Sequence, residues 1–476
     1  MRVCLICEGC YPYVPGGVSG WIQMLCSKFS DIEFVIWAIA TTREEMSEYS
    51  YQIPENVKEI HTMYLGDETF HKGRRRIVLS DDEKKVLKSL MIGAVEDIDW
   101  VSILELIKKY QRYMSDILMS ESFFEICLEE YQRQKSRKIF NHFLWNFRSI
   151  YFPLMYILSG KIPEADIYHA VSTGYAGIMG SCASYVTKKP FLLSEHGIYT
   201  REREEDIIRS RWVEGDFKEI WINFFKKLSY IAYRQADKVT SLFGVNKSLQ
   251  VELNCPEEKI VIIPNGVDVE EYNECRKAKH PSSEKFIIGA VLRVVPIKDV
   301  KTMLLAFDIV KKEMPEVHLK IMGNCGENPE YYQECLELLE ELGTKDVEFL
   351  GQVNVKEHLP DIDLLLLSSI SEGQPLAMLE GMAAEIPFIA TNVGNCRALL
   401  EGEGKDTLGR AGIVVPVMNS EAMAEAILCC IRDPKLCRRM GRIGRKRVEM
   451  FYSRAVMLDK FRKLYERLGE ERIWQE

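Results

Sequence analysis

The chain has 476 residues, more than one hydrophobic core usually serves, so two core-bearing domains are expected. Hydrophobic residues at 47% and charged residues at 28% exclude a disordered, collagenous or coiled-coil chain. Lys and Arg number 62 against 71 Asp and Glu, and the resulting formal charge of −9 gives no electrostatic footprint for nucleic acid.

The first 60 residues read as strand (Arg2 to Ile6), loop (Pro15 to Gly20), helix (Trp21 to Phe29) and strand (Glu33 to Ala40), the rhythm of an α/β unit with a parallel sheet. From about 66 to 160 the chain turns polar, long-period and aromatic, which predicts a helical insertion, since a structureless loop of that length does not suit a compact domain. The alternation resumes with strands at 166–170, 191–194, 238–241 and 259–263, separated by helices over 174–187 and 216–236. The turn Pro264-Asn265-Gly266-Val267-Asp268 closes this series, giving a first domain over 1–270 and a linker over 271–284. A second domain over 285–455 repeats the pattern, with strands at 286–292, 318–322, 347–350, 364–367, 388–390 and 412–415. Leu364 to Leu367 has the unbroken apolar character of a parallel strand buried on both faces. Residues 422–431 and a long amphipathic stretch from 434 to 473 complete the chain, and a terminal helix over 456–476 is expected to pack back toward the first domain. Two Rossmann-like domains facing across a cleft follow, with ligands at the C-terminal ends of their strands.

The 14 cysteines include Cys4, Cys7 and Cys10, but neither Cys26 nor Cys127 completes a second CxxC cluster, so free thiols in a reducing cytoplasm are expected rather than a metal site. The N-terminal apolar run is too short for a signal peptide, and no stretch reaches the ~20 apolar residues of a membrane span.

Three loops carry residues suited to chemistry. Gly16 and Gly17 follow the first strand and expose amides without side-chain bulk, yet no GxGxxG fingerprint supports a dinucleotide. Arg293 and Lys298 follow the strand at 286–292 with Pro296 between them, and two fixed cations can stabilise a departing diphosphate. The segment SSISEGQPLAMLEGMAAE, 368–385, sets Glu372 and Gly373 in a loop, Pro375 at a helix entry and Glu380 inside the helix. The free amides of that first turn form an anion site. His169 and His196 each stand at or just beyond a strand end, and Asn392, Gly394 and Asn395 mark a further polar loop.

These residues, with the N-terminal CEGCYPYVPGGVSGWIQML, YHAVSTGYAG around His169, SEHGIYTREREEDI around His196 and PNGVD, resemble the PelF-like soluble glycosyltransferases of Pel exopolysaccharide synthesis. That group lies within the retaining, metal-independent glycosyltransferase family 4 of GT-B architecture. The resemblance implies an acceptor-side N-terminal domain and a nucleotide-sugar-binding C-terminal one. It assigns Arg293, Lys298 and amides near Pro375, Leu376 and Ala377 to the donor diphosphate, Glu380 to ribose hydroxyls and Glu372 to the transferred sugar, with Gly373 among the donor-binding residues. Gly16 and Gly17 would cover phosphate or sugar, His196 would face the donor sugar and His169 would contact donor or acceptor. No bound cofactor and no metal are implied. The resemblance also implies a UDP-sugar donor (glucose or an N-acetylhexosamine), a glycan acceptor, a cytoplasmic location and a membrane-embedded polysaccharide synthase as an expected partner. A nucleotide-sugar epimerase of the same architecture and a non-catalytic nucleotide-sugar-binding subunit are the competing readings.

Overall fold

The computed structural model describes residues 1–476 except 45, 47, 67–75, 135–138, 211, 277–284 and 471–476. Seven strands build the first sheet: β1 (Arg2–Glu8), β2 (Glu33–Ala40), β3 (Val57–Tyr64), β4 (Ile167–Ala170), β5 (Phe191–Ser194), β6 (Lys238–Ser241) and β7 (Ile260–Ile262). Their order is β3-β2-β1-β4-β5-β6-β7 and every pairing is parallel; Leu5 stands beside Ile36 on one side and His169 on the other. The chain winds outward from β1 in one direction and then resumes at β4 on its other side. The loops after β1 and β4 therefore part company and leave a crevice at their carboxyl ends.

The second sheet contains β8 (Phe286–Val291), β9 (Val317–Met322), β10 (Val347–Gly351), β11 (Leu364–Leu367), β12 (Phe388–Thr391) and β13 (Gly412–Val415), in the all-parallel order β10-β9-β8-β11-β12-β13. Its switch point lies between β8 and β11. Alternate side chains of β11 enter different cores: Leu364 and Leu366 join one cluster, Leu365 and Leu367 another. Helices on both faces thus bury all four leucines, which is why the strand needs no polar residue.

Two features depart from the sequence-based expectation. Strand β3 was not anticipated; its sequence VKEIHTMY is half polar and it is an edge strand whose side chains are partly exposed, so it lacks an apolar run. The chain also divides at Ile262/Ile263 rather than after residue 270: Met1–Ile262 with Arg462–Glu476 form one unit and Ile263–Phe461 the other. The PNGVD turn belongs to the second unit because Val267 N–H donates to Tyr452 O at 3.0 Å and Arg454 N–H to Val267 O at 2.9 Å. Gly266 is required there, since an added Cβ would meet the Ser453 carbonyl at 2.6 Å. Of the expected linker, 277–284 lies outside the described residues.

The long C-terminal stretch is two helices, Pro434–Phe451 and Arg454–Glu470. Beyond Phe461 the second of them packs within the first unit: the Tyr465 ring lies 6.2 Å from Phe29, and Arg462 pairs with Asp31 at 2.7 Å. Residues 471–476 of the expected terminal helix lie outside the described residues.

Between β3 and β4 the insertion supplies the helices Asp81–Met91, Trp100–Tyr110, Met114–Ile117, Glu121–Gln134 and Phe140–Leu158; 67–75 and 135–138 lie outside the described residues. Of its aromatic residues, Phe123, Phe147 and Tyr151 are buried in the core of the first unit, whereas Phe124 and Trp145 are exposed. The insertion is tied to the Rossmann layer by buried Lys227, whose ammonium donates to Ser89 O at 2.8 Å and Ile92 O at 3.0 Å at the end of the helix Asp81–Met91. Burial lowers this amine to about 8. The native state then binds fewer protons than the unfolded chain between about pH 8 and the ordinary value of 10.5, so stability from this group rises with pH across that window. Lys227→Met is expected to cost about 1–3 kcal/mol by leaving two carbonyls unpaired. In denaturant titrations, the stability gap between wild type and Lys227→Met should widen from pH 8 to pH 10.

Candidate functional site

In the second unit the loops leaving β8 and β11 meet. Lys298 ends a 3-10 turn, Pro296–Lys298, and Asp299, at φ +44°, caps the helix Val300–Glu313 by accepting Thr302 N–H at 3.4 Å. Lys298 Nζ lies 2.5 Å from Glu372 Oε1, with both side chains largely shielded from water. Ser369 Oγ donates to the same carboxylate oxygen at 2.6 Å, so both bonds fall on Oε1. Two backbone ties lock the loops together: Ser368 Oγ donates to Lys298 O at 2.8 Å, and Ile370 N–H to Ile297 O at 2.9 Å. An ammonium has three N–H donors, so Lys298 keeps donors for an anion beyond its bond to Glu372.

Arg293 stands on the same loop but pairs elsewhere. Its Nη1 lies 2.6 Å from Glu327 Oε1, and both side chains are exposed. The structure therefore brings Lys298 and Glu372 together and holds Arg293 apart from that pair by a surface partner.

After Glu372 the chain enters the helix Leu376–Ala383, with Pro375 as its N-cap residue and no side-chain cap. Leu376 and Ala377 thus open a helix whose first amides are available to an anion. The loop before it is gripped from two further sides. Asn395 N–H donates to Gly373 O at 2.9 Å, and Asn265 N–H donates to the Gln374 side-chain oxygen at 2.7 Å. Gly394 sits beneath at φ +49°, where an added Cβ would overlap the carbonyl oxygens of Glu372 and Gly373. Asn392 is engaged by Arg397 Nε at 3.2 Å.

Glu380 lies in the helix Leu376–Ala383, half-buried. Burial raises its carboxyl above the usual range, while a hydrogen bond from Tyr272 and the charges of Lys356 and Arg454 act the other way. Tyr272, Lys356 and Arg454 were not singled out from the sequence. Tyr272 reaches Glu380 because the chain after the PNGVD turn is held to this unit.

In the first unit, Gly16 is the N-cap of the helix Gly17–Lys28, and a Cβ added at either glycine would meet open space. His196, just past β5, lies with its ring centroid 4.7 Å from that of Trp21. Its Nε2 is buried without a hydrogen-bond partner, and burial lowers the imidazole to about 4, so the ring is neutral at pH 7. His169 differs from its assignment as a ligand contact. It is fully buried, its Nδ1 lies 2.7 Å from Tyr465 Oη and its Nε2 2.7 Å from Ser194 Oγ. With both nitrogens committed and burial lowering it to about 3, His169 joins β4, β5 and the last helix as a core residue.

Two acids at strand ends escaped sequence reasoning. Glu8, the last residue of β1, accepts from Tyr199 Oη at 2.7 Å, from Ala176 N–H at 3.2 Å and from Ser172 Oγ at 3.3 Å, and so ties the β4 and β5 loops to β1. Glu195 is buried beside His196 and accepts from Tyr233 Oη at 2.5 Å, Gln250 Nε2 at 2.9 Å, Thr173 Oγ1 at 3.3 Å and Tyr199 N–H at 3.4 Å. Burial raises its carboxyl, and these four donors oppose that rise. A charged residue closing an apolar strand was the available signal for both. Among the described residues no group of three or more His, Cys, Asp or Glu is placed to hold a metal ion, and no helix is long and apolar enough to cross a membrane.

The grip on the Glu372 loop is directly testable. Gly394→Ala is expected to cost about 1–3 kcal/mol through overlap and positive φ. Gln374→Ala should lose about 1 kcal/mol with its hydrogen bond, whereas Gln374→Glu, which keeps the accepting oxygen, should lose less. Chemical denaturation of the three variants checks the order.

Comparison with known proteins agrees with this architecture. Residues 1–258 match the family described as Domain of unknown function (DUF3492), and residues 272–447 match Glycosyl transferases group 1. The chain is 25% identical over 317 residues to the capsular polysaccharide biosynthesis glycosyltransferase CapM of Staphylococcus aureus, covering 62% of this chain and 74% of that protein. Among solved structures, Anabaena HepE in complex with UDP superposes with a TM-score of 0.62 at 14% identity, covering 98% of this chain and all of HepE. Sucrose-phosphate synthase from Thermosynechococcus elongatus gives 0.60 at 15% identity, with 98% of each chain covered. The chain belongs to the family described as Domain of unknown function (DUF3492), and joins that domain to a group 1 glycosyl transferase domain on a GT-B fold.

Proposed function

We propose that this protein is a PelF-like, retaining, metal-independent glycosyltransferase that moves a hexose or N-acetylhexosamine from a UDP-sugar to a glycan acceptor in exopolysaccharide synthesis. The observation that carries the reading is the shielded Lys298–Glu372 pair beside an uncapped helix N-terminus, at the switch point of the second sheet. A cation and helix amides side by side suit the diphosphate of a nucleotide sugar, and a fixed carboxylate beside them suits a sugar hydroxyl. A uridine nucleotide is supported by the likeness to HepE, solved with UDP and with UDP-glucose. A cytoplasmic location, with the product passed to a membrane-embedded synthase, belongs to the same reading.

In this mechanism Lys298 and the amides of Leu376 and Ala377 hold the diphosphate, and Arg293 exchanges Glu327 for it. Glu372 offers its second carboxylate oxygen to the sugar, and Glu380 accepts from the ribose. The bond from the anomeric carbon to the β-phosphate oxygen breaks, and the acceptor oxygen bonds to the same face. The acceptor's proton passes to the departing phosphate oxygen, giving UDP and a glycoside of retained configuration. Glu372 is assigned to binding because Lys298 and Ser369 already hold it. The cations lower the barrier because the negative charge they face grows as the bond breaks.

Lys298→Ala and Glu372→Ala should each reduce kcat/KM by about 100-fold or more while leaving the fold intact. Product analysis by NMR should show the donor's anomeric configuration. Inverted product, or wild-type transfer by folded Lys298→Ala, would refute the mechanism. A pH effect follows from Glu380: because burial raises its carboxyl above the ordinary value of 4.5, UDP affinity should fall on acidification before exposed carboxylates titrate, and Glu380→Gln should flatten that dependence.

A further inference from the structure

The helix Pro434–Phe451 lies flush on the second unit along one side. Cys437, Met440, Gly441, Gly444, Arg447 and Val448 are buried there. The two glycines permit the close approach: a Cβ added at Gly441 would overlap Glu385 O, and one at Gly444 would meet Met382 Cγ at 3.2 Å. Arg445 fixes the same contact by donating to Ala383 O at 2.8 Å. These contacts fall at the end of the helix Leu376–Ala383, whereas Glu372 precedes its start.

The opposite side of Pro434–Phe451 is a stripe of cations. Lys435, Arg438, Arg439, Arg442 and Lys446 are all exposed, and at 3.6 residues per turn they fall within an arc of about 100°. Among the described residues none of the five pairs with a carboxylate; Arg442 Nε donates to Arg438 O, a carbonyl of the helix itself, at 3.3 Å. Glu449, the helix's one acid, lies inside the arc but is taken by Arg445 at 2.9 Å. Lys435 and Arg439, Arg438 and Arg442, and Arg442 and Lys446 are like charges four residues apart, an arrangement that destabilises a helix left in water. General basicity does not produce this stripe, because the chain carries a formal charge of −9.

Five uncompensated cations held on one rigid face select a partner whose negative charge is spread over a surface. A nucleic acid is disfavoured, because the arc carries no aromatic ring on which a base could stack. Met450, 51% exposed, stands at the edge of the arc and offers the apolar contact that a lipid interface rewards. We propose that this helix face lies on a bilayer of anionic phospholipid, with lipid phosphates on the five cations and Met450 entering the headgroup layer. The contact is with lipid itself and needs no partner protein, so it stands or falls separately from the donor reading. Among the described residues no helix can cross a membrane, and the stripe supplies a reversible hold in its place.

The test is co-sedimentation of the full chain with vesicles of phosphatidylcholine alone and of phosphatidylcholine mixed with phosphatidylglycerol. The chain should sediment with the mixed vesicles, remain free of the neutral ones and be released as salt rises. Replacing Arg438, Arg439 and Arg442 together by Ser should lower the partition coefficient about 100-fold while Tm and UDP affinity stay near wild type. Arg442→Ser alone should lower it about fivefold, which guards against misfolding of the triple variant. Replacing Lys161, Lys189 and Lys345 by Ser removes the same charge from exposed positions elsewhere and should change it by less than about threefold. Absence of binding to the mixed vesicles, equal losses in the two triple variants, or tighter binding to single-stranded RNA than to vesicles would overturn the proposal.

Discussion

The ion pair between Lys298 and Glu372 joins loops that leave β8 and β11, strands 78 residues apart in sequence by their first residues yet adjacent in the sheet. A parallel sheet ends all its strands on one edge, and the reversal of winding between β8 and β11 keeps the two loops from covering that edge. Pair, uncapped helix and flanking loops all follow from this placement. Shielding both charges has a desolvation cost that only good geometry and added hydrogen bonds offset. Ser369 supplies one such bond on the carboxylate, and the backbone ties through Ser368 and Ile370 hold the geometry.

The loop bearing Glu372 is fixed by contacts that have no chemistry of their own. Gly394 gives way to its carbonyls, Asn395 bonds Gly373, and Gln374 bonds the Asn265 turn. That turn is in turn bridged to Ser453, where the last helix begins. Rigid support of this kind sets a carboxylate to within the tolerance that binding a sugar hydroxyl demands. The same segment after the turn brings Tyr272 to Glu380, so one stretch of chain serves both acids.

Much of this was legible in the sequence because parallel strands are apolar runs and their following loops are glycine- and proline-marked. Leu364 to Leu367 and Pro375 read directly as strand and helix entry, with Glu372 in the loop before the helix and Glu380 within it. Strand β3 was not legible, since an edge strand with partly exposed faces carries no apolar run. His169 misled for a physical reason: a histidine at a strand's end reads as cleft-facing, but here the Tyr465 hydroxyl, 296 residues away, meets its Nδ1. The networks of Glu8 and Glu195 depend on partners from four separate elements and on none that sequence spacing can supply. The separate pairing of Arg293 with Glu327 is likewise a property of the folded loops.

The reading of the second unit as a nucleotide-sugar site stands on Lys298 more than on any other group. Calorimetric titration of the wild type and Lys298→Ala with UDP-sugars, each with and without chelator, tests it most directly. Saturable, chelator-resistant binding of a UDP-sugar by the wild type, lost in a folded Lys298→Ala, is the expected result. Absence of binding by folded wild type, or equal binding by Lys298→Ala, contradicts the assignment.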